Sequence, residues 1–294
     1  MSDSWRKSPS RAEIVAAQYG TPSAVAGYIE GYRGWTPEAR NYYSRFYAVD
    51  QALRDCSGGD LLDVGCGPGM LVEHLRQTRP GTFTITACDR SAEMVAAVAD
   101  RVGDAPDVRL SVAKIDDLPY PDANFDVVTA TGVLEYVEVR PALREVARVL
   151  RPGGVAVLSI LNPRSMYRMV EWGLYWPARR ALERIEAGAR VPPQRRHGVP
   201  RTGIEVMPAA RLSNEMDSVG LTTDDTMFYD VTPLVPPLDK ALRPWLRHWR
   251  KHPEKTVARG RARGVLGSGY VLVGRHRGDR QTRMPVRAAA ADLS

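Results

Sequence analysis

The stretch from Leu61 to Gly69 constrains the fold more than any other part of the chain. It reads Leu-Leu-Asp-Val-Gly-Cys-Gly-Pro-Gly, a short apolar run that predicts a buried strand, followed by a turn crowded with glycine. A helical pattern follows over residues 70–77. In an open α/β sheet, ligands usually bind at such a turn, between the end of a strand and the N-terminus of the next helix. The segment therefore predicts both an architecture and a binding site.

Strand-like and helix-like segments alternate along the chain after this turn, which predicts βαβ units and a parallel sheet. The predicted strands cover residues 61–65, 83–89, 108–113, 125–130 and 155–161, and the predicted helices cover 70–77, 92–102 and 140–150. A further helix is expected at 209–219, with strand-like pieces at 222–230 and 269–275. We expect an α/β fold with a seven-stranded, mostly parallel sheet, whose last two strands form an antiparallel edge.

Composition and the positions of proline and glycine divide the chain into an expected set of regions. Residues 1–55 are aromatic-rich and predict a helical cap, and 56–276 form the main domain. Two irregular stretches, 162–206 and 232–265, are expected to be helical lid insertions, and 277–294 is expected to be disordered. Without a long apolar run or an apolar N-terminal segment, we expect a cytoplasmic protein with no membrane span and with buried free thiols at its three cysteines.

The glycine spacing separates two classes of ligand. A dinucleotide fingerprint would place its third glycine at position 70, where Met70 stands, whereas here the third glycine comes one residue earlier, at Gly69. The run Asp-Val-Gly-Cys-Gly-Pro-Gly closely resembles the first motif of class I S-adenosylmethionine-dependent methyltransferases. Later motifs place it near the small-molecule branch that includes ubiquinone and menaquinone methyltransferases. The resemblance implies a Rossmann-like fold and S-adenosylmethionine as cofactor.

The first motif supplies one end of the implied cofactor site. Gly65 and Gly67 would let the backbone approach the amino acid part of the ligand, and Asp63 would face its ammonium group. The helix that starts near Met70 would direct amide donors at the ligand carboxylate. Cys66 and Gly69 complete the implied binding loop.

The end of the second predicted strand supplies the implied ribose contact. Asp89 stands there, and a carboxylate at this place can accept hydrogen bonds from a ribose diol. Arg90 would lie over the adenine ring, and Met94 follows on the next helix. An alternative is that Asp89 belongs to a helix start that Ser91 caps, and both readings can hold together.

Two further stretches match the same branch. In the first, Lys114 occupies the position of the family's usual acid, so the Ile115 amide and the Asp116 side chain are the expected adenine contacts. In the second, Thr131 and Gly132 match the part that faces the sulfonium and the methionine chain. This position lacks the Asn-Pro-Pro-Tyr sequence of amino-methylating nucleic-acid enzymes, which argues against that class.

The charge of the chain is unevenly distributed around its net value of +7. Residues 1–163 carry 17 basic and 21 acidic side chains, whereas 164–201 carry nine arginines against three glutamates. Apolar residues in both insertions recur at helical spacing beside these basic residues. We expect a lid docked on the carboxyl edge of the sheet. The alternatives are peripheral contact with an anionic membrane and, less expected, nucleic-acid binding.

The resemblance implies methyl transfer to a small-molecule acceptor, expected to be hydrophobic or anionic, like a natural product or a quinone. His197 is the candidate base, Tyr42, Tyr43 and Tyr47 could line the pocket, and no metal is expected. One alternative is a membrane-associated lipid or quinone methyltransferase. Another is a regulatory protein that binds S-adenosylmethionine without transfer. Oligomeric state and the atom methylated stay open.

Overall fold

The computed structural model describes residues 20–34, 36–190, 192, 204–241, 248–249, 251–260 and 264–278. Over these ranges the chain forms a mixed β-sheet with helices packed on both faces. The strands are β1 (Gly59–Val64), β2 (Phe83–Asp89), β3 (Val108–Val112), β4 (Phe125–Thr131), β5 (Leu150–Leu161), β6 (Leu221–Val231), β7 (Ala258–Arg259) and β8 (Gly267–His276). The α-helices are α1 (Pro22–Arg33), α2 (Pro37–Ala52), α3 (Met70–Thr78), α4 (Ala92–Val102), α5 (Val139–Val149), α6 (Met166–Val170), α7 (Trp176–Gly188), α8 (Ala209–Ser218) and α9 (Leu238–Ala241).

The sheet has eight strands in the order β3-β2-β1-β4-β5-β8-β6-β7. The first five strands run parallel, as predicted. The last two predicted strands, β6 and β8, lie at the far end and pair antiparallel, as expected, with β8 between β5 and β6 and antiparallel to both. The two-residue β7, which was not predicted, adds an eighth strand beside β6. β8 is almost completely buried. Because it lies inside the sheet, its backbone has hydrogen-bond partners on both sides.

Local sequence accounts for most element boundaries. β2 and α4 have the predicted bounds, and α4 begins where Ser91 Oγ accepts a hydrogen bond from the Met94 amide at 3.1 Å. At α2, Thr36 Oγ1 accepts from the Ala39 amide at 3.1 Å, and Pro37 occupies the first turn. β5 begins earlier than predicted, at Leu150, because the following Pro-Gly-Gly stretch lies within the strand beside a bulge.

Two apolar layers cover the two faces of the sheet. On one face, Leu143 and Val146 of α5 and Leu212 of α8 pack on the strands. On the other, Leu71 and Val72 of α3 pack with α2 and α4. Neighbouring strand residues contribute to opposite layers, since side chains alternate along a strand. Complete burial of each large apolar side chain stabilises the fold by about 1.5–3 kcal/mol.

The first insertion packs on the rest of the chain only over its first part. Its described part consists of α6, a π-helical turn (Glu171–Tyr175) and α7. Tyr167 is buried, but α7 has no buried residue, and Leu174 and Ile185 are 67% and 68% exposed. A π turn contains more residues than an α turn, so it changes the direction in which the following side chains point. The buried side of α6, which includes Tyr167, therefore does not extend along α7. Within the described ranges, no helix combines the length and apolar character needed to cross a bilayer.

The chain order creates a crevice at the carboxyl end of β1. From β1 the chain moves outward to β2 and β3, and then returns to β4 on the other side of β1. The turns after β1, β2 and β4 therefore meet at one edge of the sheet, where the strand order reverses. Open α/β sheets bind ligands at this kind of switch point.

Candidate active site

A cavity of about 1090 Å³ opens at this switch point. It exceeds the range of about 300–1,000 Å³ that is usual for one small ligand, so there is room for a cofactor together with an acceptor. The structure brings most of the predicted cofactor residues into its lining. Those residues are Gly65, Gly67, Asp89, Arg90, Met94, Ile115, Asp116, Thr131 and Gly132.

The loop after β1 leaves open space beside Gly67. This residue has a φ of +52°, and a Cβ built on it would have Tyr28 Cε1 as its nearest neighbour, at 3.9 Å. The missing side chain is therefore space that a ligand can fill while it approaches the backbone closely. The helix α3 begins just beyond this loop, at Met70.

The carboxylate of Asp89 connects two turns of the cavity wall. Its Oδ2 accepts a hydrogen bond from the Gly67 amide at 3.0 Å, and its Oδ1 accepts from the Ser91 amide at 2.9 Å. Each carboxylate oxygen can accept more than one hydrogen bond. Asp89 therefore approaches the start of α4, as the helix-start reading predicts, and retains capacity for a diol.

Three predicted residues lie outside the main cavity. Asp63 and Cys66 line a small adjoining pocket, and Gly69 packs against α4, because a Cβ there would lie 2.9 Å from Val98 Cγ1. Asp63 is fully enclosed, and its Oδ1 accepts a hydrogen bond from Thr129 Oγ1 at 2.6 Å. Burial raises the pKa of Asp63 to about 7, against the lowering effect of that hydrogen bond.

The N-terminal helices cover the glycine loop with tyrosines. Tyr32 and Tyr42 are stacked with ring centroids 4.5 Å apart, and Tyr28 lies 5.4 Å from each. Tyr28 and Tyr42 line the cavity, whereas Tyr43 and Tyr47 are not among its lining residues. The aromatic content of this segment was visible in the sequence, but helix phase decided which rings face the loop.

Arg45 of α2 lies directly against the turn after β4. A Cβ built on Gly132 would lie 2.3 Å from Arg45 Nη1, so the guanidinium occupies the space of a side chain there. It also lies 5.5 Å from the Tyr42 ring centroid. The turn itself is held by Ser159 Oγ, which accepts a hydrogen bond from the Gly132 amide at 3.0 Å.

The end of the cavity remote from the glycine loop is polar and was largely missed by sequence reasoning. Its walls include Asn41, Glu135, Tyr167, Arg168, Glu171 and Asp230. Glu135 is 2% exposed, and burial raises its pKa to about 7, while the nearby Arg45 opposes the shift. Glu135 follows the predicted cofactor residues Thr131 and Gly132 closely in sequence, but no sequence pattern marked its side chain as facing the cavity.

Ion pairs hold this polar end in place. Arg40 Nε and Asp230 Oδ1 lie 2.5 Å apart in a buried pair, and Ser268 Oγ also donates to Asp230. Arg168 pairs with Glu171 across one helical turn. Because Arg40 and Asp230 are distant in sequence, no local pattern could have connected them. The candidate base His197 lies outside the described residues.

The fold and the cavity define the class of protein, an α/β domain with a ligand-binding cavity at the switch point of its sheet. Residues 62–158 match the family model described as a methyltransferase domain. An uncharacterized methyltransferase of Mycobacterium tuberculosis is 31% identical over 47% of this chain and 72% of its own length. The chain belongs to the class I S-adenosylmethionine-dependent methyltransferase family.

Other relatives agree with this family. The ubiquinone/menaquinone biosynthesis C-methyltransferase UbiE of Geobacter sulfurreducens is 36% identical over 39% of this chain and 47% of its own length. A solved S-adenosylmethionine-dependent methyltransferase of Thermotoga maritima shares the fold, with a TM-score of 0.56 and 16% identity over 86% of this chain and 96% of its own. The chain spans about half the length of the curated relatives that it matches first.

The residues present fit S-adenosylmethionine as the cofactor. The open side of Gly67 accommodates a close backbone approach, and Asp89 retains acceptor capacity at the place where a ribose would bind. Ile115, Asp116 and Arg90 line the side expected to hold adenine. When bound, this cofactor supplies a methyl group activated by its sulfonium.

Proposed function

We propose that the protein transfers a methyl group from S-adenosylmethionine to a small-molecule acceptor of hydrophobic or anionic character, such as a quinone-like or lipid-like compound. The observation that carries this proposal is the continuity of the cavity. The same space is lined by the glycine loop at one end and by Asn41, Tyr167 and Asp230 at the other. Its main contribution to rate would be alignment of donor and acceptor.

Fixed groups would hold the acceptor against the donor. Thr131 and Gly132 lie between the two ends of the cavity wall, and Ser159 fixes their turn. The ion pair between Arg40 and Asp230 is buried and holds α2 against β6. Such anchoring limits the freedom of the acceptor-side wall, which in-line transfer requires.

Glu135 is the described carboxylate best suited to take a proton from an acidic acceptor. It lines the cavity close to Gly132, and a pKa of about 7 lets it exchange a proton near neutral pH. Arg45 lies beside the same turn and can compensate negative charge on an acceptor oxygen. An acceptor without an acidic OH or NH would need no such base.

Two considerations support the proposed acceptor class. The name of the UbiE relative assigns that protein to quinone biosynthesis, and it is similar to 39% of this chain. The second consideration is the basic character of the first insertion, which favours an anionic acceptor. In its described part, Arg168 lines the cavity but is paired with Glu171, so Arg45 is the better candidate to meet a negative group.

The direct test is a methyl-transfer assay with labelled S-adenosylmethionine. Purified protein is incubated with a quinol and fatty-acid panel and with small-molecule extract, and S-adenosylhomocysteine and methylated products are measured by mass spectrometry. We expect product that gains the mass of one methylene and depends on the protein. Tight cofactor binding without S-adenosylhomocysteine from any acceptor would instead favour the regulatory alternative.

A further inference from the structure

The first insertion presents an apolar surface to solvent. We call the exposed side chains of Ala178, Ala181, Leu182 and Ile185 the α7 apolar face. Their spacing places them on one side of the helix, because residues three and four apart are neighbours on its surface. Large exposed apolar side chains grouped on one helix face mark interaction surfaces.

Positive charge accompanies this face. Arg180 and Arg184 are exposed, are four residues apart and lie beside the α7 apolar face rather than within it. Residues 164–201 carry nine arginines against three glutamates. An apolar face flanked by arginine, with Trp172 exposed one turn before the helix, has the composition of a helix that lies in the interface of an anionic membrane.

The same insertion forms part of the cavity wall. Tyr167, Arg168 and Glu171 line the cavity, while Met169 and Leu174 are exposed within the same few residues. One face of this segment therefore contacts the acceptor space, and another is open to a partner. A surface that binds this segment would therefore lie close to this wall of the cavity.

We propose that the α7 apolar face docks on an anionic phospholipid surface, with its arginines at the level of the headgroups. A second copy of the chain fits less well, because symmetric docking of this face would bring two arginine-rich segments together. Delivery of a hydrophobic acceptor from the bilayer into the cavity would follow, and this last step rests on the proposed function. Docking itself does not depend on it.

The test is co-sedimentation of the full chain with sucrose-loaded vesicles, without cofactor or acceptor. We expect binding to phosphatidylcholine mixed with phosphatidylglycerol, weak binding to phosphatidylcholine alone, and release by high salt. Arg180→Gln with Arg184→Gln should weaken binding about tenfold or more. Leu182→Gln with Ile185→Gln should also weaken it several-fold, because it removes the inserted side chains.

Matched controls use exposed residues elsewhere. Arg109→Gln with Arg144→Gln removes the same charge, and Val112→Gln removes an apolar side chain of comparable exposure. These variants should bind vesicles like the parent protein. Equal losses in test and control variants, equal binding to both vesicle types or no binding at all would overturn the proposal.

Two further measurements separate the possible failures. A dimer that dissociates only on Leu182→Gln with Ile185→Gln, seen by light scattering, would assign the face to self-association instead and reject the membrane proposal. Calorimetry with S-adenosylhomocysteine on every variant should show unchanged affinity. A vesicle-binding protein that never transfers methyl groups would refute the proposed function while leaving docking intact.

Discussion

The carboxylate of Asp89, at the end of β2, accepts a hydrogen bond from the amide of Gly67 in the loop after β1, with Oδ2 and the nitrogen 3.0 Å apart. Its second oxygen accepts from the amide of Ser91 at the start of α4. One side chain thereby fixes the relative position of two turns of the cavity wall, at the end where we propose that the cofactor binds. This position depends on the parallel pairing of β1 with β2.

Replacement of Asp89 tests this end of the cavity. We expect Asp89→Ala to weaken S-adenosylmethionine binding by about 1.5–3 kcal/mol, the usual contribution of hydrogen bonds to a charged group. Calorimetry measures the change, and Asp117→Ala, an exposed acid in the next loop, is the control. A loss of a few tenths of a kcal/mol would restrict Asp89 to the helix start.

The contact between Arg45 and Gly132 predicts that alanine at position 132 lowers stability and activity more than alanine at another glycine with a positive φ. A Cβ at Gly132 would displace the Arg45 guanidinium, so Gly132→Ala should reduce both the melting temperature and the rate of methyl transfer. Gly153→Ala is the matched control, because Gly153 also has a positive φ but a Cβ there meets nothing within 4 Å. Thermal melts and turnover rates of the two variants should differ clearly. Equal effects would mean that backbone strain alone is responsible.

A buried carboxyl at Glu135 predicts a pH dependence of transfer to acidic acceptors. Burial raises the pKa of Glu135 to about 7, with Arg45 and Arg168 opposing the shift. The deprotonated form accepts the proton, so the rate should rise with pH through about 7. Glu135→Gln should lower kcat and remove this titration, whereas Glu138→Gln, an exposed residue of the cavity rim, should keep it. An unchanged profile in Glu135→Gln would exclude the base role.

Asp63 predicts a pH dependence of stability. Burial raises the pKa of Asp63 from 3.8 to about 7, so its contribution to folding is complete below about pH 4 and is lost as the pH rises through about 7. Asp63→Asn keeps an oxygen acceptor for Thr129 and avoids the buried charge. At about pH 8 we expect this variant to be more stable than the parent by more than about 1 kcal/mol.

Denaturant unfolding without ligand, at about pH 4 and about pH 8, measures that difference. The gain from Asp63→Asn should be small at the lower pH, where the parent carboxyl is neutral in both states. Asp100→Asn, an exposed acid on α4, should change stability little at either pH. A variant less stable than the parent at about pH 8 would show that the Asp63 charge is compensated in the fold.

Much of the cofactor end could be predicted from local patterns. The strand, the glycine loop and the Ser91 cap are contiguous in sequence, so periodicity and turn chemistry were sufficient to place Gly65, Gly67 and Asp89. Met94, Ile115 and Thr131 also line the cavity as expected. Asp63 and Cys66 were predicted from the same motif, but they line the small adjoining pocket and not the main cavity.

The polar end of the cavity, where we propose that the acceptor binds, could not be predicted in this way. It joins Arg40 and Arg45 of α2 with Glu135 and with Asp230 of β6, which lie far apart along the chain. Their meeting depends on how the N-terminal helices pack across the sheet. The exposure of α7 could not be predicted for a similar reason, because periodicity identifies an apolar face on a helix but not what covers it.

The sequence alone determined the family of this protein, its α/β alternation and the loop that fits S-adenosylmethionine, because these depend on residues close together in the chain. Tertiary structure decided that β8 is inserted between β5 and β6, that Arg45 fills the space beside Gly132, and that α7 turns its apolar side chains to solvent. Local propensity fixes which elements form, whereas long-range packing fixes which of their faces meet.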